Sequence, residues 1–211
     1  MRGAVPKWPA RCGAAQVSMN LPNQLTLARL GVTALFVAVL ESNWPYARTA
    51  GLVLFGVASL TDLADGYLAR KHNLVTDFGK LMDPLADKIL TAAALIGLAA
   101  AGAFPVWMAT AIISREFIIT GLRQLAAAKS VVLPAERIGK HKTIWQMITL
   151  LYFLLFEMLE EWVRVGWLEA LPYPMVFHRW TGQGLLALTL VLTIGSGLGY
   201  LWKNRDLIQE R

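Results

Sequence analysis

The sequence predicts an all-α, polytopic membrane protein of six transmembrane helices, and three observations predict it. Hydrophobic residues make up 56% of the chain and charged residues only 16%, against about 25% charged in ordinary soluble domains. Mean hydropathy is +0.49. Apolar runs of near-spanning length recur, separated by short polar connections. Finally, of the 20 Lys and Arg residues, only Arg48, Arg164 and Arg179 fall on one side once six spans are laid along the chain; all the others fall on the opposite side. That bias orients both termini toward the cytoplasm.

The elements follow in order. Residues 1–18 carry Arg2, Lys7, Arg11, Pro6 and Pro9 without the apolar core of a signal peptide. They read as a disordered extension or a start-site artefact, with residues 19–211 as the membrane domain. Pro22 and Asn23 make a turn signal, and Thr26 can cap a first span over 25–40. A loop at 41–48 offers Trp44 and Tyr46 to an interfacial belt. The second span runs over 49–70 and the third over 81–101. Gly102 and Pro105 break the chain before a fourth span from Pro105 or Val106 to about Ala127, which holds Arg115, Glu116 and Arg123. A basic connection with Lys129, Arg137, Lys140 and Lys142 leads to a fifth span over 143–159. A loop holding Glu157, Glu160, Glu161 and Glu169 precedes the sixth span, over 180–202. No period of 20–50 residues marks a repeat architecture.

The formal net charge of +6 would suit a nucleic-acid partner. The positions of the charges exclude that reading, because they cluster at the cytoplasmic connections, where topology and anionic lipid headgroups account for them. The lone Cys12 rules out an intramolecular disulfide and any cysteine-based metal cage.

The chemistry concentrates in residues 62–87, DLADGYLARKHNLVTDFGKLMDPLAD. An ionised carboxylate in the middle of a bilayer costs roughly 2.5–3.5 kcal/mol on insertion scales, so four aspartates together call for compensation. Asp62 and Asp65 are three apart and Asp83 and Asp87 four apart, so each pair shares a helical face. Asn73 and Gly79 in the spacer allow the two helices to fold back on each other. Gly66 lacks a side chain and would let a ligand or the facing helix approach closely. Hard oxygen donors without Cys, and with His72 in the basic turn, favour Mg²⁺ or Mn²⁺ over Zn²⁺. Two such ions about 4 Å apart can clamp both sides of a displacement at phosphorus. The bland alternative, ion pairing of single aspartates with Arg70, Lys71, Lys80 and Lys88, explains any one of them better than all four.

These residues stand in the register D-x2-D-G-x2-A-R-x8-G-x3-D-x3-D over Asp62, Asp65, Gly66, Ala69, Arg70, Gly79, Asp83 and Asp87. In this the chain resembles the CDP-alcohol phosphatidyltransferases, whose opening resembles residues 21–29 (LPNQLTLAR) and whose fold has the same six-helix layout. Residues 77–88 (DFGKLMDPLADK), 114–123 (SREFIITGLR) and 139–143 (GKHKT) look like the phosphatidylglycerophosphate synthase branch. The resemblance implies that Asp62, Asp65, Asp83 and Asp87 hold two Mg²⁺ or Mn²⁺ ions, with Asp87 also the general base. It implies that Asp62, Gly66, Ala69 and Arg70 receive the cytidine nucleotide. Asn23 and Thr26 are assigned beside it, although helix capping would also explain both. CDP-diacylglycerol would be the donor, glycerol 3-phosphate the acceptor, and the assembly a homodimer in the inner membrane.

The acceptor's phosphate needs cations of its own, and Arg115, Arg123, Lys140 and Lys142 are the candidates. Glu116 could pair with either arginine or with the next helix. Two readings compete with this one. A sister enzyme would use inositol phosphate, serine or phosphatidylglycerol as acceptor. A cation transporter would line its path with the aspartates, but these gather at one membrane face and not at the midplane.

Overall fold

The computed structural model describes the backbone of residues 21–72, 77–128, 137–169 and 175–205, and the side chains of 27–61, 85–86, 88–127, 141–169 and 177–205. Among the described residues there are six α-helices and no strand: α1 (Leu21–Glu41), α2 (Ala47–His72), α3 (Asp77–Ala100), α4 (Val106–Ala128), α5 (Arg137–Val165) and α6 (Met175–Lys203). Helix α1 packs on both α2 and α3, α4 bridges α3 and α6, and α5 bridges α2 and α6. The extension 1–18 lies outside the described residues.

Two helical segments are long and apolar enough to cross a bilayer unaided, His141–Val165 and Phe177–Lys203. Among the described residues, the apolar stretches of α2 and α3, Ala47–Thr61 and Lys88–Ala100, are shorter. Helix α4 is interrupted by Arg115, Glu116 and Arg123. Large apolar side chains face outward, with Leu60 68%, Val191 67% and Trp202 76% exposed. Such a surface suits lipid better than water.

Between helices in lipid, close packing and polar contacts matter more than water exclusion. The core shows both. Phe36 of α1 meets Phe55 of α2 with ring centroids 6.1 Å apart, and Leu95, Ile112, Leu150 and Leu186 extend the cluster across the bundle. Leu40 seats against two glycines: a Cβ on Gly51 would lie 2.7 Å from its Cδ2, and one on Gly97 2.9 Å from its Cδ1. Thr149 of α5 and Thr189 of α6 hydrogen-bond through their hydroxyls at 2.8 Å.

Two boundaries follow from left-handed glycines. Gly102 has φ 84°, and with Ala103 N donating to the Leu98 carbonyl at 3.0 Å and Gly102 N to that of Ala99 at 3.1 Å it closes α3 in a Schellman cap. This is the break expected at 102–105. Gly166, φ 85°, closes α5 the same way, with Trp167 N donating to Trp162 O at 2.9 Å and Gly166 N to Val163 O at 3.2 Å.

The fifth helix therefore corrects the sequence reading. Glu157, Glu160 and Glu161 lie on α5 and not in a loop, because the helix continues to Val165. Glu161 is buried, 4% exposed, and caps the start of α2 from a distance. Its carboxylate accepts from Arg48 N at 2.7 Å, Thr49 N at 2.8 Å and the Thr49 hydroxyl at 2.6 Å. With Ala47 N donating to Trp44 O and Ala50 N to Tyr46 O, the orphan donors of that helix end are satisfied. The positive end of the helix dipole and the charge-assisted bonds make a buried carboxylate tolerable there. Arg48 Nε adds an ion pair to Glu157 at 3.6 Å.

Two smaller corrections concern starts. Helix α1 begins at Leu21, so Pro22 sits in the first turn, where its missing N–H costs nothing, and Thr26 lies inside the helix instead of capping it. Helix α5 begins at Arg137, which places Lys140 and Lys142 on a helix and not in a connection.

Candidate functional site

The aspartate stretch occupies the end of α2 and the beginning of α3. Asp62, Asp65, Gly66, Ala69 and Arg70 fall in the last turns of α2, and Asp83 and Asp87 in the first turns of α3. Four residues join the two helices, and such a short connection makes them antiparallel neighbours. Both carboxylate pairs therefore belong to the same end of the bundle. The side chains of these residues, and of Asn23, Thr26 and Lys140, lie outside the described residues.

Beside that end, the described side chains build a charged node. Its centre is Glu116 of α4, 9% exposed. Its Oε2 accepts from Lys88 Nζ of α3 at 2.7 Å. Its Oε1 accepts from Arg115 Nη1 at 3.2 Å and from Lys142 Nζ of α5. Lys142 is 2% exposed. Three helices are thus tied by one carboxylate. The physical requirement is plain: an acidic group within an apolar helix persists only when its charge is matched.

Arg115 is held from a second side. Its Nη2 donates to the Ser196 hydroxyl of α6 at 3.0 Å, and its aliphatic stem lies over Gly197. Arg123, two turns further along α4, stands apart from the node. Its Nε donates to the Tyr200 hydroxyl of α6 at 3.4 Å, and the guanidinium carbon lies 5.4 Å from the ring centroid, within cation–π range.

Of the cations assigned to an acceptor phosphate, then, Arg115 and Lys142 meet at Glu116 while Arg123 sits on Tyr200. Positive-inside topology alone does not account for Lys142, since a lysine serving topology stays at the water interface. The sequence alone does not single out Ser196 or Tyr200, and it offers Lys88 only as an ion-pair partner for the aspartates. Lys88 carries a signal, being adjacent to Asp87 at the start of an apolar run of α3. Ser196 and Tyr200 carried none, because their partners are more than seventy residues distant.

Fold and charge placement together describe a helical, membrane-associated bundle with two pairs of aspartates on successive helices and a cationic cluster alongside. The chain belongs to the CDP-alcohol phosphatidyltransferase family, whose family model matches residues 19–194. It is similar to the CDP-diacylglycerol–glycerol-3-phosphate 3-phosphatidyltransferase of Bacillus subtilis (strain 168), at 39% identity over 90% of this chain and 97% of the relative. The enzymes of the same name from Rickettsia bellii and Mycoplasma pneumoniae are 42% and 38% identical, over 64% and 63% of this chain and 75% and 66% of theirs.

Proposed function

We propose that this protein transfers the phosphatidyl group of CDP-diacylglycerol to glycerol 3-phosphate, giving phosphatidylglycerophosphate and CMP. The observation that carries this reading is the similarity to the Bacillus subtilis enzyme, which extends over 90% of the chain and so includes both the aspartate stretch and the Glu116 node.

The chemistry is a displacement at phosphorus. Asp87 takes the proton of an acceptor hydroxyl, and the hydroxyl oxygen forms a new bond to the phosphorus that carries the diacylglycerol group. The bond from that phosphorus to the CMP oxygen breaks, and CMP leaves with the electron pair. A carboxylate is a weak base for an alcohol, so orientation of the hydroxyl must supply much of the rate. Asp62, Gly66, Ala69 and Arg70, with Asn23 and Thr26, receive the cytidine nucleotide, and Arg70 balances charge on the departing phosphate.

Asp62, Asp65, Asp83 and Asp87 are an all-oxygen donor set on two neighbouring helices, which fits Mg²⁺ or Mn²⁺. Two such ions, when bound, would polarise the phosphoryl oxygens and offset charge on the leaving group. Arg115, Arg123, Lys140 and Lys142 take the acceptor's phosphate. In this reading residues 19–211 form the membrane domain, all six helices span the inner membrane, both termini and the aspartate end face the cytoplasm, and the enzyme works as a homodimer.

The test is direct. Purified protein in mixed micelles with CDP-diacylglycerol should release CMP on addition of glycerol 3-phosphate. Release only with inositol phosphate, serine or phosphatidylglycerol would reject the acceptor, and metal flux in vesicles without nucleotide turnover would reject the reaction.

A further inference from the structure

Glu116 serves neither as a candidate metal ligand nor as a phosphate-binding group, yet it is a buried carboxylate that gathers three cations. We propose that Glu116 is a positioning residue for the transfer, fixing the distance between the base-bearing helix α3 and the cations that receive the acceptor's phosphate. The inference rests on the reaction proposed above.

The two carboxylate oxygens divide the work. Oε2 holds Lys88 at 2.7 Å, and Lys88 is the residue following Asp87 on α3. Oε1 holds Arg115 at 3.2 Å and also Lys142, two of the four candidates for the acceptor's phosphate. One rigid planar group therefore links the backbone beside the base to the phosphate site. A buried charge cluster of this kind is seldom the most stable way to fill space, since apolar side chains of similar volume often do as well or better. Its best-attested use is to specify geometry. Glycerol 3-phosphate presents its hydroxyl and its phosphate within a separation bounded by a three-carbon chain, so an enzyme that reads both ends must hold its base and its cations within that reach. Sub-ångström tolerance at such sites comes from supporting hydrogen bonds of this sort. Arg115 receives a second brace from Ser196 at 3.0 Å, which fixes its guanidinium plane against α6.

The role separates from simple core filling by its kinetic signature. In Glu116→Gln the shape is kept and the charge lost, so the three cations are no longer gathered. The KM for glycerol 3-phosphate should rise by about tenfold or more and kcat should fall, while the KM for CDP-diacylglycerol stays within about twofold. Glu116→Asp, with the charge restored on a shorter stem, should recover part of the acceptor KM. Lys88→Met removes the Glu116 link to α3 and should lower kcat with little change in either KM. Wild-type constants in E116Q would overturn the proposal. So would a loss of kcat with both KM values unmoved and no recovery in E116D, the signature of a structural filler. If E116Q is not recovered as monodisperse folded protein, K88M decides: a lowered kcat supports the linkage and a wild-type kcat removes it. Absence of CMP release by the wild-type enzyme with glycerol 3-phosphate would instead reject the underlying reaction.

Discussion

Gly197 of α6 makes the seat for Arg115 of α4: a Cβ at position 197 would lie 2.8 Å from Arg115 Cγ and 3.3 Å from its Nε. The missing side chain lets the arginine stem cross the helix and deliver its guanidinium to Ser196 and Glu116 at once. A misplacement of about 1 Å in a positioning group can cost on the order of 100-fold in rate. Gly197→Ala should therefore raise the KM for glycerol 3-phosphate several-fold and Gly197→Leu by more, with CDP-diacylglycerol unaffected. Steady-state kinetics with each substrate varied in turn will check this, and equal behaviour of both variants and wild type would refute it.

At the opposite end of the bundle, the Glu161 cap predicts a stability effect without a catalytic one. Glu161→Gln retains the shape but loses charge-assisted bonds to the start of α2. Caps of this type contribute about 1–2 kcal/mol. The thermal midpoint in detergent should fall, while kcat at low temperature stays at the wild-type value. An unchanged midpoint would show that the bonds are dispensable.

The Thr149–Thr189 contact offers a measure of helix association between α5 and α6. Interhelical hydrogen bonds in membrane proteins average roughly 0.6 kcal/mol in double-mutant cycles. Thr149→Val, Thr189→Val and the double variant should give a coupling of that order. A value indistinguishable from zero would assign the α5–α6 interface to packing alone.

Replacement of Asp87 by Asn should lower CMP release by about 100-fold or more, the usual scale of a general base, with a thermal midpoint close to wild type. Chelation of divalent cations should silence the wild-type enzyme, and Mg²⁺ or Mn²⁺ should restore it. Full activity in D87N would remove the base assignment.

Much of this could be seen in the chain before any fold was known. The apolar runs located all six helices, and Gly102 with Pro105 marked a true helix end. The spacing of the aspartates places them on two successive helices, α2 and α3. What was misjudged involves charge that is matched across the bundle. Glu157, Glu160 and Glu161 looked too acidic to continue a spanning helix, because local composition does not reveal that Arg48 and the free amides of α2 lie opposite. The glycine at 166 was the available cue, since it is the natural place for α5 to stop. Lys142 likewise reads as part of a connection, because nothing in its neighbourhood announces Glu116. Sequence periodicity reports the face a residue occupies; it is silent on the partner that face will meet.

Leu40, wedged between Gly51 and Gly97, acts as a fulcrum. Gly51 lies eleven residues before Asp62 and Gly97 ten residues after Asp87, so both lever arms measure about 15–17 Å at 1.5 Å per residue. A tilt of only about 5° at such a pivot moves the far tips by about 1.4 Å. The approach of α1 to α2 and α3 is therefore set at the end of the bundle away from the aspartates, by one leucine and two hydrogen atoms where side chains would have been.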